Sequence, residues 1–414
     1  MKKTFISTWH KAVFFYATLF SLQTFAQSDT LIHRISKDSS VTAMNMDAIY
    51  DRPFFSAGKI PVAIGGYMDV NTQYESTGGV DEGFSFQMRK LSLMIGSSIS
   101  SRVKFLSEIE FEDGGKEIGL EYCALDFQFH PMFNLRGGII LNPIGGYNQN
   151  HDSPRWDFID KPFSATGIIP TTLSNVGMGV HGKYFYGHWS FGYEFYLTNG
   201  FDDKIIDNDL GRTSLSEGHE NAELFEESNS GLPLVTGKLA IRNRKIGEIG
   251  FSYMTGVYNK WKEDGLIIDR KRSAGIFAID FTTALCNDRL NITGEYAYNS
   301  IDIPDSYTQQ YGNKQWGFFT DVVYTFYQGN ILGWDKAKLN AGLRSEYADY
   351  NVGTFRETGT NIGDDVISFC PSLAFRPTGS TVIRFNYRIE SAHDLFDNEA
   401  VKTNVIQFGF SSYF

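Results

Sequence analysis

Three cysteines in 414 residues, Cys123, Cys286 and Cys370, are too few and too widely spaced for a disulfide framework, and no CxxC pair is present. Proline is scarce at 11, and the 41 glycines follow no three-residue period, which excludes collagen-like structure. Positive charge is not in excess. The 37 Lys and Arg stand against 48 Asp and Glu, a net charge of −11, which argues against nucleic acid as a partner. Runs of about 20 apolar residues do not recur, so a polytopic helical membrane protein is excluded. GxSxG, HExxH and P-loop patterns are missing too, so the chain reads as a non-enzyme without a cofactor.

Aromatic residues are plentiful. Tyr, Phe and Trp number 22, 35 and 6, or 15% of the chain, which is far too aromatic for disorder. The first 26 residues have the layout of an export signal. Lys2 and Lys3 are followed by the apolar core Ala12–Phe20, and Thr24-Phe25-Ala26 forms a small-x-small cleavage site before Gln27. Residues 27–60 are mixed and polar without periodicity, and read as an N-terminal tail in the periplasm.

From residue 61 to 414 the texture is uniform. Apolar residues alternate with polar or small ones, the period-two signature of strands with two unlike faces. In the last segment Ile406, Phe408 and Phe410 oppose Gln407, Gly409 and Ser411. In 381–389, Ile383, Phe385, Tyr387 and Ile389 oppose Arg384, Asn386 and Arg388. The spacing predicts sixteen strands, at 61–75, 83–97, 101–112, 117–130, 132–141, 174–186, 187–198, 232–243, 246–260, 268–285, 287–302, 312–328, 336–350, 364–376, 379–393 and 402–414. Connections after even-numbered strands are near-minimal, apart from a longer one expected near 329–335. Those after odd-numbered strands are mostly long, above all 142–173 and 199–231. A soluble sandwich has no reason to sort its connections by parity. An outer-membrane barrel does, with both termini periplasmic.

The physical argument runs the same way. A bilayer gives no water to backbone N–H and C=O groups, so without helices only a closed sheet can span it. Sixteen strands with Arg, Lys, Glu and Asp on one face cannot close around a dry core, and should enclose water. Aromatic residues near strand ends, such as Tyr184, Tyr186, Tyr324 and Tyr413, suit the headgroup boundary. The expected fold is therefore all-β: a closed antiparallel transmembrane barrel in the outer membrane of a Gram-negative bacterium. The competing fold is a secreted all-β protein.

Particular segments resemble the phosphate-selective porin O and P family, especially its Bacteroidota-type relatives. They are Gly65-Gly66-Tyr67-Met68-Asp69-Val70, Phe86-Gln87-Met88-Arg89-Lys90-Leu91-Ser92-Leu93, Leu125-Asp126-Phe127, Leu135-Arg136-Gly137-Gly138 and the terminal Phe414. The resemblance implies a sixteen-stranded porin, a homotrimer, with its third loop folded into the lumen. It also implies that the terminal aromatic strand, despite Ser412, is read by the outer-membrane assembly machinery. Phosphate selectivity does not follow. Loop 142–173 holds only Arg155 and Lys161 as fixed positive charges, beside Asp152, Asp157 and Asp160.

Alternation places Arg102, Lys104, Lys238, Arg289, Lys338, Arg344, Arg384 and Arg388 on the lumen face, together with Glu108 and Glu110. Either Arg89 or Lys90 joins them. Glu121 and Asp126 both face inward only if a bulge separates them. Mixed charges in a low-dielectric frame orient polar solutes or small ions, anions among them, as they pass. The alternative is that these charges pair across adjacent strands. His151, Asp152, Arg155, Asp157 and Lys161 are the candidate constriction residues. The spacing of His151, Asp152 and Asp157 matches no strong metal motif. Asp51-Arg52-Pro53-Phe54 recurs as Asp160-Lys161-Pro162-Phe163, which is either coincidence or a tail that docks near the pore. A surface-binding barrel acting through loops 142–173 and 199–231 is the second functional reading.

Overall fold

A computed structural model describes residues 32–34, 44–49, 52–56, 62–308 and 311–414, the side chains of 32–34 and 53–56 excepted. The expected export signal at 1–26 and most of the expected tail lie outside the described residues. Sixteen strands make the barrel. They are β1 (Val62–Thr77), β2 (Val80–Ser98), β3 (Val103–Glu112), β4 (Glu117–His130), β5 (Phe133–Leu141), β6 (Ser174–Tyr186), β7 (Trp189–Thr198) and β8 (Leu234–Asn243). The second half comprises β9 (Gly247–Val257), β10 (Ser273–Leu285), β11 (Leu290–Ile301), β12 (Lys314–Ile331), β13 (Trp334–Asp349), β14 (Asp365–Thr378), β15 (Thr381–Ala392) and β16 (Val401–Tyr413). Each pairs antiparallel with the next. β16 then pairs with β1 from Thr403↔Thr77 to Tyr413↔Tyr67, so the sheet closes and has no free edge along that seam.

The faces divide as the alternation requires. On β16, Ile406, Phe408 and Phe410 are 45%, 48% and 42% exposed, while Gln407, Gly409 and Ser411 turn into the barrel. Among the described residues no helix is long and apolar enough to cross a membrane. At the turn end every connection is short. The longer turn expected near 329–335 is in fact Leu332-Gly333, because β12 runs on to Ile331 through two register shifts. Both turn residues have positive φ, 51° and 92°, and a hairpin that tight with right-twisted strands demands this. At the loop end only Gly78-Gly79 is minimal.

Two bulges decide the polar face. Asp69 pairs with Lys90 and Val70 with Met88, so Arg89 is the extra residue, and both Arg89 and Lys90 reach the interior. Glu108 pairs with Tyr122 and Ile109 with Leu120, so Glu121 is extra, and the bulge that its parity with Asp126 required is present.

Beyond the end of β16, residues 53–56 continue the sheet beside β1, with Phe55↔Ile64 and Ser56↔Ala63. The chain just before them, Met44–Ile49 and Arg52, lies inside the barrel and is buried apart from the half-exposed Asp47.

Candidate functional site

The connection between β5 and β6, residues 142–173, folds into the lumen. Irregular backbone at membrane depth must find partners in the protein, and the wall supplies them. Gly145 N donates to Ser252 Oγ at 2.9 Å, and Gly146 N and Tyr147 N donate to the Glu295 carboxylate at 2.7 and 2.8 Å. Further along, Ile159 N donates to Asn386 Oδ1 at 2.7 Å and Phe163 N to Glu346 at 2.9 Å. Tyr147, Trp156 and Ala165 of the loop pack with Phe319 of β12 in a small apolar cluster. Their packing fixes the loop's height in the barrel.

Charge holds the same loop to one wall. Asp160 receives Arg89 Nη1 at 2.5 Å, Arg388 Nη1 at 2.8 Å and Gln407 Nε2 at 2.7 Å. Burial, which would raise its carboxyl, is outweighed by Arg388 and Arg89, which hold Asp160 at about 2. It is therefore ionised throughout the physiological range. Asp157 accepts from Arg376 Nε at 2.8 Å and Asn340 Nδ2 at 3.2 Å. Arg344 grips Asp321 with two bonds, 2.7 and 2.8 Å, and donates to the Asp160 carbonyl at 2.6 Å. Arg384 pairs with Asp69 at 2.6 Å and donates to the Phe158 carbonyl at 2.8 Å.

The structure gathers some of the sequence-predicted residues and separates others. Arg344, Arg384 and Arg388 come together on one wall around the loop's acidic residues. Each is paired, but only Arg344 pairs across adjacent strands, with Asp321 of β12; Arg384 reaches past β16 to Asp69 of β1, and Arg388 reaches Asp160 of the inner loop. Lys238 lies inside and bonds the Gly145 carbonyl and Asp280, at 2.8 and 2.9 Å. Glu110 pairs with Lys90. Lys104 and Lys338 are half-buried near the turn end, Lys104 opposite Asp126. Arg102 and Arg289 do not line the lumen. Arg102 lies in the exposed turn before β3. Arg289 ends the turn Cys286-Asn287-Asp288, whose three positive φ values absorb the residues expected to open β11.

In the loop, Arg155 Nη2 donates to the Ala48 carbonyl at 2.8 Å, and Lys161 Nζ donates to the Thr171 carbonyl at 3.0 Å. His151 and Asp152 meet Glu108 of β3, with ligand atoms of the three within 4.8 Å of one another. The Arg52 guanidinium fills the space between them. It lies 2.8 Å from Glu108, 2.6 Å from Asp152 and 3.4 Å from His151 Nε2.

Sequence reasoning missed Arg52, Arg136 and Arg376 as interior charges. Arg376 has the inward parity of β14 and lies inside the expected strand 364–376, so alternation along it could have found it. Arg136 bonds Asp126 at 2.9 Å and the Tyr196 hydroxyl at 2.8 Å, and alternation along β5 could have found it. For Arg52 the only signal was its recurrent Asp-Arg-Pro-Phe setting.

A second loop covers the mouth. Residues 199–233 send Phe201, Ile205, Ile206 and Leu215 into an apolar cluster with Ile144, Ile168 and Ile169 of the inner loop. Arg212 pairs with Asp364 at 2.7 Å across the opening.

No family model matches the chain. A protein of Aquifex aeolicus described as uncharacterized is 26% identical over 366 residues, covering 83% of this chain and 79% of that protein. Among solved structures, an anion-selective porin from Comamonas acidovorans aligns with a TM-score of 0.53 at 12% identity, over 85% of this chain and 99% of that one. OmpF of Salmonella typhi gives 0.54 at 10% identity, over 85% and 97%. The outer membrane channel DcaP of Acinetobacter baumannii gives 0.51 at 12%, again over 85% and 97%. At these identities the likeness is one of architecture: this chain has the fold of outer-membrane porins and channels.

Proposed function

We propose that the protein is an outer-membrane porin that passes small hydrophilic solutes and ions by passive diffusion. The observation that carries this reading is the inversion of a soluble protein's faces. The outside of a closed sixteen-stranded sheet is apolar and exposed, and the inside is charged and holds its own third loop. An apolar outer surface this extensive needs lipid around it. The short turns then face the periplasm and the long loops the cell exterior.

The resemblance to phosphate-selective porins supports the general reading but not phosphate itself. Arg155 and Lys161 of the inner loop are both engaged with backbone carbonyls, and neither is set out as an anion ligand. The surface-binding alternative called on loops 142–173 and 199–231; the first lies inside, which leaves that reading the second, at the mouth.

Selectivity should follow the arginine wall. In the double variant Arg384→Ala/Arg388→Ala, Asp69 loses its guanidinium partner and Asp160 loses one of two. The reversal potential across a salt gradient is expected to move toward cation preference relative to the unaltered protein. An unchanged reversal potential would place the selective step elsewhere.

A further inference from the structure

The inner loop does not occupy the lumen alone. Its stretch from Asp157 to Phe163 is held by β13 to β16 and by Arg89 of β2. The facing wall is covered by the N-terminal segment. Met46 N donates to Glu248 of β9 at 2.9 Å. Gly192 of β7 leaves room for the Met46 sulfur, with which a Cβ there would clash. Ile49 packs among Tyr67, Met94, Leu106 and Tyr122 of β1 to β4, and Met44 joins the Tyr147–Trp156 cluster. Tail and loop also bond each other. Asn45 N donates to Asn150 Oδ1 at 3.0 Å, and Asn150 Nδ2 donates back to the Asn45 carbonyl at 3.1 Å. The chain's own N-terminal segment thus occupies space beside the inner loop in the lumen.

Two ion pairs fasten it: Asp47 pairs with Lys183 of β6 in a half-exposed contact, and Arg52 makes the buried one. The Arg52 guanidinium is 1% exposed, and two carboxylates and an imidazole surround it. Two of those groups, His151 and Asp152, belong to the inner loop, and Glu108 belongs to the wall. A guanidinium donates in a fixed planar fork, which suits two carboxylates on different elements. Without it Glu108 loses its guanidinium partner and faces Asp152 at close range, with Arg155 left 3.9 Å from Asp152 as the remaining guanidinium, an arrangement that costs much more in a dry site than in water.

We infer that Met44–Ile49 and Arg52 form an internal stopper of the pore and that Arg52 is its latch, seated in the cup of Glu108, His151 and Asp152. The inference rests on the porin reading above. The segment reaches the barrel wall through residues 53–56, which lie beside β1 beyond the end of β16, so it can leave the lumen without breaking a barrel strand pair.

The test is single-channel recording in planar bilayers on the mature chain, on Arg52→Ala, and on a variant lacking residues 44–52. The deletion removes no barrel strand, so it stays informative if Arg52→Ala folds poorly. The unaltered chain should be mostly closed. Breaking a buried ion pair from one side should raise the fraction of time open at least about tenfold in Arg52→Ala. The deletion should be open throughout, and Arg52→Lys should fall between Arg52→Ala and the unaltered chain. Equal conductance in the unaltered chain and the deletion would overturn the stopper and leave the porin reading standing. Silence of every variant, including one that lacks the inner loop as well, would overturn the porin reading and the stopper with it.

Discussion

Excising residues 147–168 and closing the gap with a short glycine-serine link is expected to raise single-channel conductance several-fold. The loop is the largest object in the lumen, and its removal also strips the tail of Asn150, His151, Asp152 and Arg155, four of the groups that hold it. Conduction through a pore is governed by its narrowest section and by the charges there. The barrel should survive, because each of the sixteen strands keeps both of its neighbours. A loop-deleted barrel with unchanged conductance would show that 142–173 is not the constriction.

The second large effect concerns stability. Arg344→Met keeps the bulk of the side chain but leaves Asp321 buried without its two charge-assisted bonds, and leaves the Asp160 carbonyl without a donor. Removing one partner of a buried pair costs about 3–5 kcal/mol. The barrel should therefore unfold at a clearly lower temperature in detergent, measured by loss of heat-resistant gel migration. Arg102→Ala and Arg289→Ala, in exposed turns, should leave the transition where it is. The double variant Arg344→Met/Asp321→Leu should recover much of the loss, since it removes both charges at once. Failure to recover would mean that the contact of Arg344 with the inner loop, rather than its pairing with Asp321, carries the stability.

The barrel was legible because lipid imposes a simple rule on the sequence. Every other residue must be apolar over the height of the membrane, and the connections must differ at the two ends. Ile406, Phe408 and Phe410 against Gln407, Gly409 and Ser411 record that rule directly. The bulge at Glu121 was legible for the same reason, since two carboxylates of opposite parity cannot share a face on a regular strand. Strand ends were harder. Alternation continues for a residue or two into a turn, so Arg102 and Arg289 carry lumen parity without lying in the lumen. Left-handed residues at Cys286, Asn287 and Asp288 lengthen that turn, and nothing in their chemistry but Asn and Asp announces it.

The interior pairings were legible only in part. Arg344 with Asp321 is a cross-strand contact that follows from register. By contrast, Arg376 with Asp157 and Arg388 with Asp160 depend on the path of an irregular loop, and no periodicity encodes such a path. The same holds for Arg52. A tail without pattern looks like a linker until the barrel around it is built. Only then does it become clear that two carboxylates and a histidine from distant elements need a cation between them.

The most direct test of a wet, solute-conducting barrel is osmotic swelling of liposomes. Vesicles carrying the variant without residues 44–52 and 147–168, placed in an isotonic solution of a pentose, should swell, and more slowly for a trisaccharide than for the pentose. Vesicles in which the variant is folded and inserted but that hold their volume in both sugars would contradict the account.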